Sequence, residues 1–359
     1  MRSIDAQFWR GKRVLITGHM GFKGVWLCRL MERLGAHTIG FGYDDRDPLT
    51  YREVGLSNHT HIEGDVSDAV TLTTAVMDHE PEVIFHLAAQ ALVIPSYNHP
   101  LTTFQDNIMG VANVLETSRN ASSVTSVVVV TSDKVYENKE RSTPYLETES
   151  LGGHDPYSAS KAAAEIVAQS MISCFFQENG AGVATARAGN VIGGGDWADY
   201  RLIVDAAKAL SQNAPLVVRN PSSTRPWQHV LDPLSGYVFL AEDLAQDEPC
   251  PYSAFNFGPS MDSVVTVEQV ANIFVKAWEG NAAWTTDLDS QPAVKEAGFL
   301  AIDSRRAQEV LDWEPRWTLH QALERTANWY RDHASGMSAA TLIDRDLADY
   351  FGEEIGVQS

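Results

Sequence analysis

Cysteine is scarce in this chain of 359 residues: Cys28, Cys174 and Cys250 stand far apart, odd in number and without a CxxC pair. That excludes a disulfide framework and a cysteine-built zinc site, leaves no metal centre to expect, and suits a reducing compartment. Basic residues are also short. Lys and Arg total 27 against 47 Asp and Glu, a formal net charge of -20, so neither nucleic acid nor a membrane surface is an expected partner, because both reward clustered cations. Any anionic ligand must meet locally placed cations. No apolar run approaches the ~18 residues of a membrane span. MRSIDAQFWRGKRVLITG runs into a strand-like stretch with no secretory leader, so the mature protein is expected to start near Met1 and to work in the cytoplasm. Internal repeats and low-complexity tracts are absent as well.

What is present is alternation. RVLIT (13–17), FKGVWLCRLMERLG (22–35), HTIGFG (37–42), EVIFHLA (82–88) and SVVVVTS (126–132) interleave β-branched strand runs with helical patterns, the signature of a parallel sheet with crossover helices. Residues 100–119 and 155–176 read as long helices, the second opened by Asp155 as N-cap and Pro156 at the first helical position. With 44% hydrophobic residues and a length that suits roughly two domains of ~150 residues, the expected fold is α/β: a Rossmann-type doubly wound parallel sheet with a smaller C-terminal substrate domain. The first domain is expected over 1–188, with 233–258 packing back on it. From 189 to 335 the pattern turns irregular and rich in Gly, Pro and Trp, as in GNVIGGGDWADYRL, and reads as loops around a ligand. Residues 336–359 read as an acidic tail.

GHMGFKG puts Gly18, Gly21 and Gly24 between the first strand and the first long helix, where bare backbone and a positive helix end can approach a pyrophosphate. The acid that usually closes the second strand is replaced by Gly42. Asp44 or Asp45 then becomes the candidate for the adenosine ribose, while Arg46 would instead suit a 2'-phosphate; NAD is the expected cofactor, with NADP the alternative. Asp65, in EGDVSD at the next strand end, is the candidate for the adenine edge.

Tyr157 and Lys161 stand four apart on one helix and so share a face. A tyrosine that must take a hydroxyl proton needs its pKa lowered, and a neighbouring ammonium favours the phenolate. The valine run before residue 131 ends in TSDKVY, placing Ser132, Asp133 and Lys134 at a strand end.

HLAAQALVIPSY, NIMGVANVLE, TSDKVYENKE, DPYSASKAAAE, RAGNVIGGGDWA, RPWQHVLDPLSGY and FNFGP together resemble the extended short-chain dehydrogenases/reductases, and within them the CDP-glucose 4,6-dehydratases. The likeness runs from about FWRGKRVLITG to LDWEPRWTLHQAL. It implies an internal redox cycle that converts CDP-glucose to CDP-4-keto-6-deoxyglucose: Tyr157 takes the proton from the sugar 4-hydroxyl, Ser132 and Lys161 hold the geometry, and Asn107 supports the framing helix. It also lines the cofactor with Phe22, Lys23, Val66, Leu87, Ala88 and Ala89, assigns Arg225 and Asn190 to the nucleotide phosphates, and leaves Arg201, Arg219 and Trp197 as further substrate candidates. Each has a plainer reading, a surface ion pair for the arginines and core packing for Trp197 and Trp227. RSTPYLETES, His154 before DPY and Tyr200 after DWAD depart from the family pattern at positions that would touch sugar or base.

Asp133 and Lys134 are assigned as acid and base of the water loss, against the alternative that they form an ion pair. A homodimer or dimer of dimers is expected through the helices at 100–119 and 155–176, with Ile108, Val111, Val114, Ile166 and Met171 on the outward face. The rival readings are a nucleotide-sugar epimerase, which shares the glycine turn, Tyr157 and Lys161 but needs no dedicated acid and base, a dehydratase of another nucleotide sugar, and a non-enzymatic cofactor-sensing protein.

Overall fold

The computed structural model describes residues 2–43, 49–176, 180–246, 250–280, 282–286 and 298–355. Its centre is a seven-stranded sheet in which every neighbouring pair is parallel. In chain order the strands are β1 (Arg13–Thr17), β2 (His37–Phe41), β3 (His59–Ile62), β4 (Val83–His86), β5 (Ser126–Val130), β6 (Gly182–Arg187) and a last strand, Ala254–Asn256. Across the sheet the order is Ala254–Asn256, β6, β5, β4, β1, β2, β3. Helices cover both faces, so inner strands are apolar on both sides: all five residues of β5 are buried, as are all four of β4. The direction of winding reverses between β1 and β4, and ligands of such sheets bind beyond the strand ends at that crevice.

Helix Pro156–Phe175 begins with Asp155 accepting from the Ser158 amide and Pro156 in the first turn. The run at 100–119 is not one regular helix. It is α-helical over Pro100–Phe104, widens to a π turn over Gln105–Met109 and resumes over Gly110–Asn120. Val111 and Val114 lie in the core against the sheet, which removes them from the outward face assigned to them. Ile166 stays on that face, joined there by Leu101, Met109 and Phe175, all at least half exposed or nearly so.

Helix Leu231–Leu244 is buried along most of its length and packs on β5 and β6. Short strand pairs, Val191–Ile192 with Gln228–His229, Thr224–Pro226 with Val264–Thr266, and Leu216–Val218 with Trp284–Thr286, build the smaller region.

The C-terminal segment is no free tail. Helix Ala339–Phe351 buries Leu342, Ile343, Leu347, Tyr350 and Phe351 and packs on helices Phe22–Arg33, Leu49–Val54 and Leu319–Ala334. Its acids are neutralised in place: Asp344 by Arg29 and Arg33, Asp349 by Arg325. An amphipathic stripe was hidden by the charges on its other face.

Candidate functional site

The glycine turn follows β1 directly. Gly18 has φ +70°, and a Cβ on it would lie 2.7 Å from the Ala88 amide nitrogen. A Cβ on Gly24 would lie 2.3 Å from the Gly18 carbonyl oxygen. Backbone therefore passes backbone too closely for any side chain. Helix Phe22–Arg33 starts at Gly21 with no side-chain cap, which leaves its first amides and its positive end facing the crevice. Thr17 ties the ends of β1 and β4 by hydrogen-bonding His86 Nδ1 at 2.7 Å and accepting from the Ala88 amide at 3.1 Å; Leu87 and Ala89 flank that point. This is a cradle whose shape fits a dinucleotide diphosphate.

Asp65 follows β3, caps its own loop by accepting from the Ser67 amide at 2.8 Å, and Asn113 holds the Val66 carbonyl at 2.9 Å. Asp44, Asp45 and Arg46 lie outside the described residues. His19, the second residue of the turn, had no role in the sequence reading. Its ring fills the space above Gly40, where a Cβ would sit 2.2 Å from ring carbon Cδ2, and its Nε2 pairs with His61 Nδ1 at 2.9 Å. Burial and the neighbouring His59 and His61 push its pKa down to about 3, so the ring is neutral. The histidine inside GHMGFKG was the available signal.

Asn107, in the π turn, braces the loop after β4 from both sides: its side-chain oxygen accepts from the Gln90 amide at 2.8 Å and its nitrogen donates to the Gln90 carbonyl at 3.0 Å and to Ser160 at 2.8 Å. Ser160 lies on the same helix as Tyr157. Such π turns recur at functional sites because they re-aim one residue without breaking the helix.

Tyr157 and Lys161 are both buried. The expected lowering of the tyrosine by the lysine does not occur in the chain alone. Burial pushes Tyr157 up to about 12, with Asp133 adding to the rise and hydrogen bonding with Ser132 and the charge of Arg201 opposing it. Burial also pulls Lys161 down to about 8. Both charged forms are desolvated, and that outweighs their attraction.

Asp133 and Lys134 sit in a single 3-10 turn, Asp133–Val135, capped by the Ser132 hydroxyl. The Asp133 carboxyl is buried and held by Ser132 Oγ at 3.1 Å and Asn190 Nδ2 at 3.4 Å, not in an ion pair with the adjacent lysine. Burial raises its pKa, against the charges of Lys134, Arg225 and Lys23. A carboxyl whose pKa is raised by burial is suited to act as a general acid. The cations facing it are these three, rather than Lys161. Gly189 matters here although its sequence context gave no hint: a Cβ on it would fall 2.0 Å from the Asp133 carboxyl carbon.

Lys23, from the glycine turn, joins the group. Its ammonium donates to the Tyr237 hydroxyl at 3.3 Å, and burial together with Arg201 and Lys161 lowers it to about 7. Arg225, on strand Thr224–Pro226, donates to the Thr224 and Gly298 carbonyls and its charge reaches Asp133. Arg201 is paired with Asp196 at 3.1 Å, yet its charge reaches Tyr157 and Lys23. Thus Lys23, Arg201 and Arg225 bring positive charge to an acidic protein at one place.

Four candidates are placed elsewhere or otherwise engaged. Arg219 is half exposed and drawn to Asp205 at 3.4 Å. Trp197 donates to Thr50 Oγ1 at 3.0 Å and packs on Tyr330 and His333, bracing the loop against helices at its back; Trp227 lies in the main core. Asn190 spends its side-chain amide on Asp133. The GGGDW loop, read as ligand-lining, owes its glycines to packing: a Cβ on Gly194 would enter the Trp329 ring. Among the described residues no cluster of side chains is arranged to hold a metal, and no helix is long and apolar enough to cross a membrane.

Residues 15–326 match the sequence profile of the GDP-mannose 4,6 dehydratase family. The chain belongs to that family of extended short-chain dehydrogenases/reductases. Among its relatives in the family, the CDP-glucose 4,6-dehydratase of Salmonella typhimurium is 41% identical over 355 residues, covering 97% of this chain and 98% of that protein. The family fold is also seen in the UDP-glucose 4-epimerase of Thermotoga maritima with UDP-glucose, at TM-score 0.76 and 20% identity over 89% of this chain and 99% of that one. The dTDP-glucose 4,6-dehydratase of Bacillus anthracis in complex with NAD aligns at TM-score 0.73 and 20% identity, covering 90% and 97%. At such identity these two structures speak for the fold alone.

Proposed function

We propose that this protein is an NAD-dependent CDP-glucose 4,6-dehydratase that forms CDP-4-keto-6-deoxyglucose and water. The observation that carries the dehydratase reading over an epimerase is the buried Asp133, held by Ser132 and Asn190 in one turn with Lys134 beside Tyr157, with burial raising its pKa. An epimerase has no water to expel and no use for that pair. The 41% identity to the Salmonella enzyme supports cytidine as the base.

The glycine cradle, with Phe22, Lys23, Asp65, Val66, Leu87, Ala88 and Ala89 around the strand ends, would hold NAD, and Asn107 braces the loop beside it. A nicotinamide bound there would supply a hydride acceptor facing sugar carbon 4 and a donor for carbon 6. Tyr157, steadied by Ser132 and Lys161, would receive the 4-hydroxyl proton as the ketone forms once the positive charge of a bound nicotinamide, added to that of Lys161, has drawn it to the phenolate. The ketone acidifies carbon 5, where Lys134 removes the proton. Asp133 protonates the 6-hydroxyl as its bond to carbon breaks, and water leaves. Arg225 and Arg201 offset the substrate diphosphate, a task that lone Lys or Arg residues do poorly in a protein of net charge -20 unless they converge as these do. Residues 1–188 with 233–258, whose helix and last strand complete the sheet's packing, form the cofactor half, and the rest of 189–335 the substrate half.

Incubation with CDP-glucose and, separately, with dTDP-, UDP- and GDP-glucose tests the assignment: the 4-keto product is expected from CDP-glucose, and turnover of only another donor overturns it. A cytoplasmic dimer completes the reading. Its interface is the outward face of the helices at 100–120 and 156–175, and light scattering that gives a monomer mass would remove it.

A further inference from the structure

Glu165 continues the series Tyr157, Lys161, Glu165 along one helix, each a turn from the last, so the three share a face. It is fully buried and forms an ion pair with Arg187 at 2.6 Å, likewise fully buried. A pair so deep gains little by its mere presence, because desolvation offsets the attraction; its value lies in fixing geometry, and removing either partner alone is strongly destabilising.

What this pair holds is specific. One Glu165 oxygen accepts from the Thr131 hydroxyl, and the other from Thr185 Oγ1 at 2.9 Å and from Arg187. Arg187 donates in turn to the Tyr136 hydroxyl at 2.8 Å, and Tyr136 donates to Asn256 at 2.7 Å. Thr131 and Tyr136 are the residues on either side of the segment Ser132–Val135, which carries the candidate acid and base. The pair therefore grips both ends of that segment from the helix that carries Tyr157 and Lys161. Nothing in the chemistry requires Thr131 or Tyr136 to touch substrate, and neither side chain is exposed.

We propose that Glu165 and Arg187 are positioning residues that set the register between the oxidation residues, Tyr157 and Lys161, and the elimination residues, Asp133 and Lys134, through Thr131 and Tyr136. The inference rests on the dehydratase reading above. Losing one grip leaves Tyr157 and Lys161 on an intact helix, but frees one end of the acid-base turn. Oxidation at carbon 4 is then spared while the steps at carbons 5 and 6 slow.

Glu165→Ala would leave Arg187 buried and unpaired and is a poor test, since misfolding would explain any loss. Thr131→Val and Tyr136→Phe each remove one hydroxyl at nearly constant volume and charge. For each variant, thermal unfolding checks folding, absorbance of the reduced nicotinamide after mixing with CDP-glucose follows carbon 4 oxidation, and solvent deuterium at carbon 5 with product release follows elimination. The expected result is oxidation within about twofold of the parent protein and elimination slowed on the order of tenfold or more, because displacements well under 1 Å are costly at a reacting centre. Equal loss of both steps, or no loss in either, overturns the inference. If the parent protein itself does not oxidise CDP-glucose, the dehydratase reading fails first and is identified separately.

Discussion

Gly189→Ala adds one methyl group at the point where the candidate acid is lodged. The alanine Cβ would stand 2.0 Å from the Asp133 carboxyl carbon and one of its oxygens, and 2.3 Å from the other. Carbon atoms come to rest at ~3.5 Å or more, so the carboxyl must retreat by about 1.5 Å. Backbone strain plays no part, since only the following residue, Asn190, has a positive φ, at 48°. The retreat breaks the contacts from Ser132 and Asn190, worth about 1 kcal/mol each, and overpacking typically costs about 1–3 kcal/mol. A fold of this size survives that with a melting point lower by several degrees. The chemistry does not. Displacing an acid by more than 1 Å costs on the order of a hundredfold in rate, and a carboxyl turned toward Lys134, Arg225 or Lys23 also gives up its proton to solvent more readily. The assay is formation of the 4-keto-6-deoxy product at saturating CDP-glucose, alongside deuterium exchange into carbon 5 of recovered substrate. Turnover should fall on the order of a hundredfold with exchange retained, because Lys134 is untouched. Normal turnover in a folded Gly189→Ala protein would refute the placement of Asp133 as the acid.

Lys134→Met should still oxidise carbon 4 on mixing with CDP-glucose but should not exchange the carbon 5 proton; normal deuterium incorporation would remove Lys134 as the base. Arg225→Ala should raise KM at nearly unchanged kcat, since a diphosphate contact is felt equally in ground and transition states; a large fall in kcat at saturation would make it a positioning residue. Lys161 is lowered from 10.5 to about 8 by burial. Between those values the unfolded chain holds a proton that the folded chain has lost, so this residue destabilises the fold below pH 8 and the penalty is relieved as pH rises toward 10.5. Lys161→Met should therefore stabilise the ligand-free protein at pH 7 by up to about 3 kcal/mol, and by little near pH 10, as read from urea unfolding at the two pH values; a stabilisation independent of pH would contradict the burial argument.

Local chemistry was legible and distant contact was not. GHMGFKG, the Tyr157–Lys161 spacing and TSDK are contiguous patterns whose residues lie within a turn or two of one another, and the structure brings them together around neighbouring strand ends. Gly189 against Asp133, Arg187 against Glu165 and Trp197 against Thr50 join residues from different parts of the chain, and no local pattern announces them. The C-terminal helix was missed because Asp344, Asp346 and Asp349 interrupt its apolar pattern, while the arginines that neutralise most of them lie in other helices. Val111 and Val114 were assigned to the wrong face because the π turn at 105–109 shifts the helical phase just before them. The Tyr157 pKa failed for a different reason: proximity to Lys161 is visible in the spacing, whereas the burial that outweighs it belongs to the folded whole.

The central claim is that one bound cofactor takes hydride from carbon 4 and delivers it to carbon 6 of the same sugar. CDP-glucose carrying deuterium at carbon 4, incubated with the protein and analysed by mass and NMR, tests that directly. The account predicts a 4-keto product in which the label has moved to carbon 6. A 4-keto product without label at carbon 6, or a sugar inverted at carbon 4 with no loss of water, would contradict it.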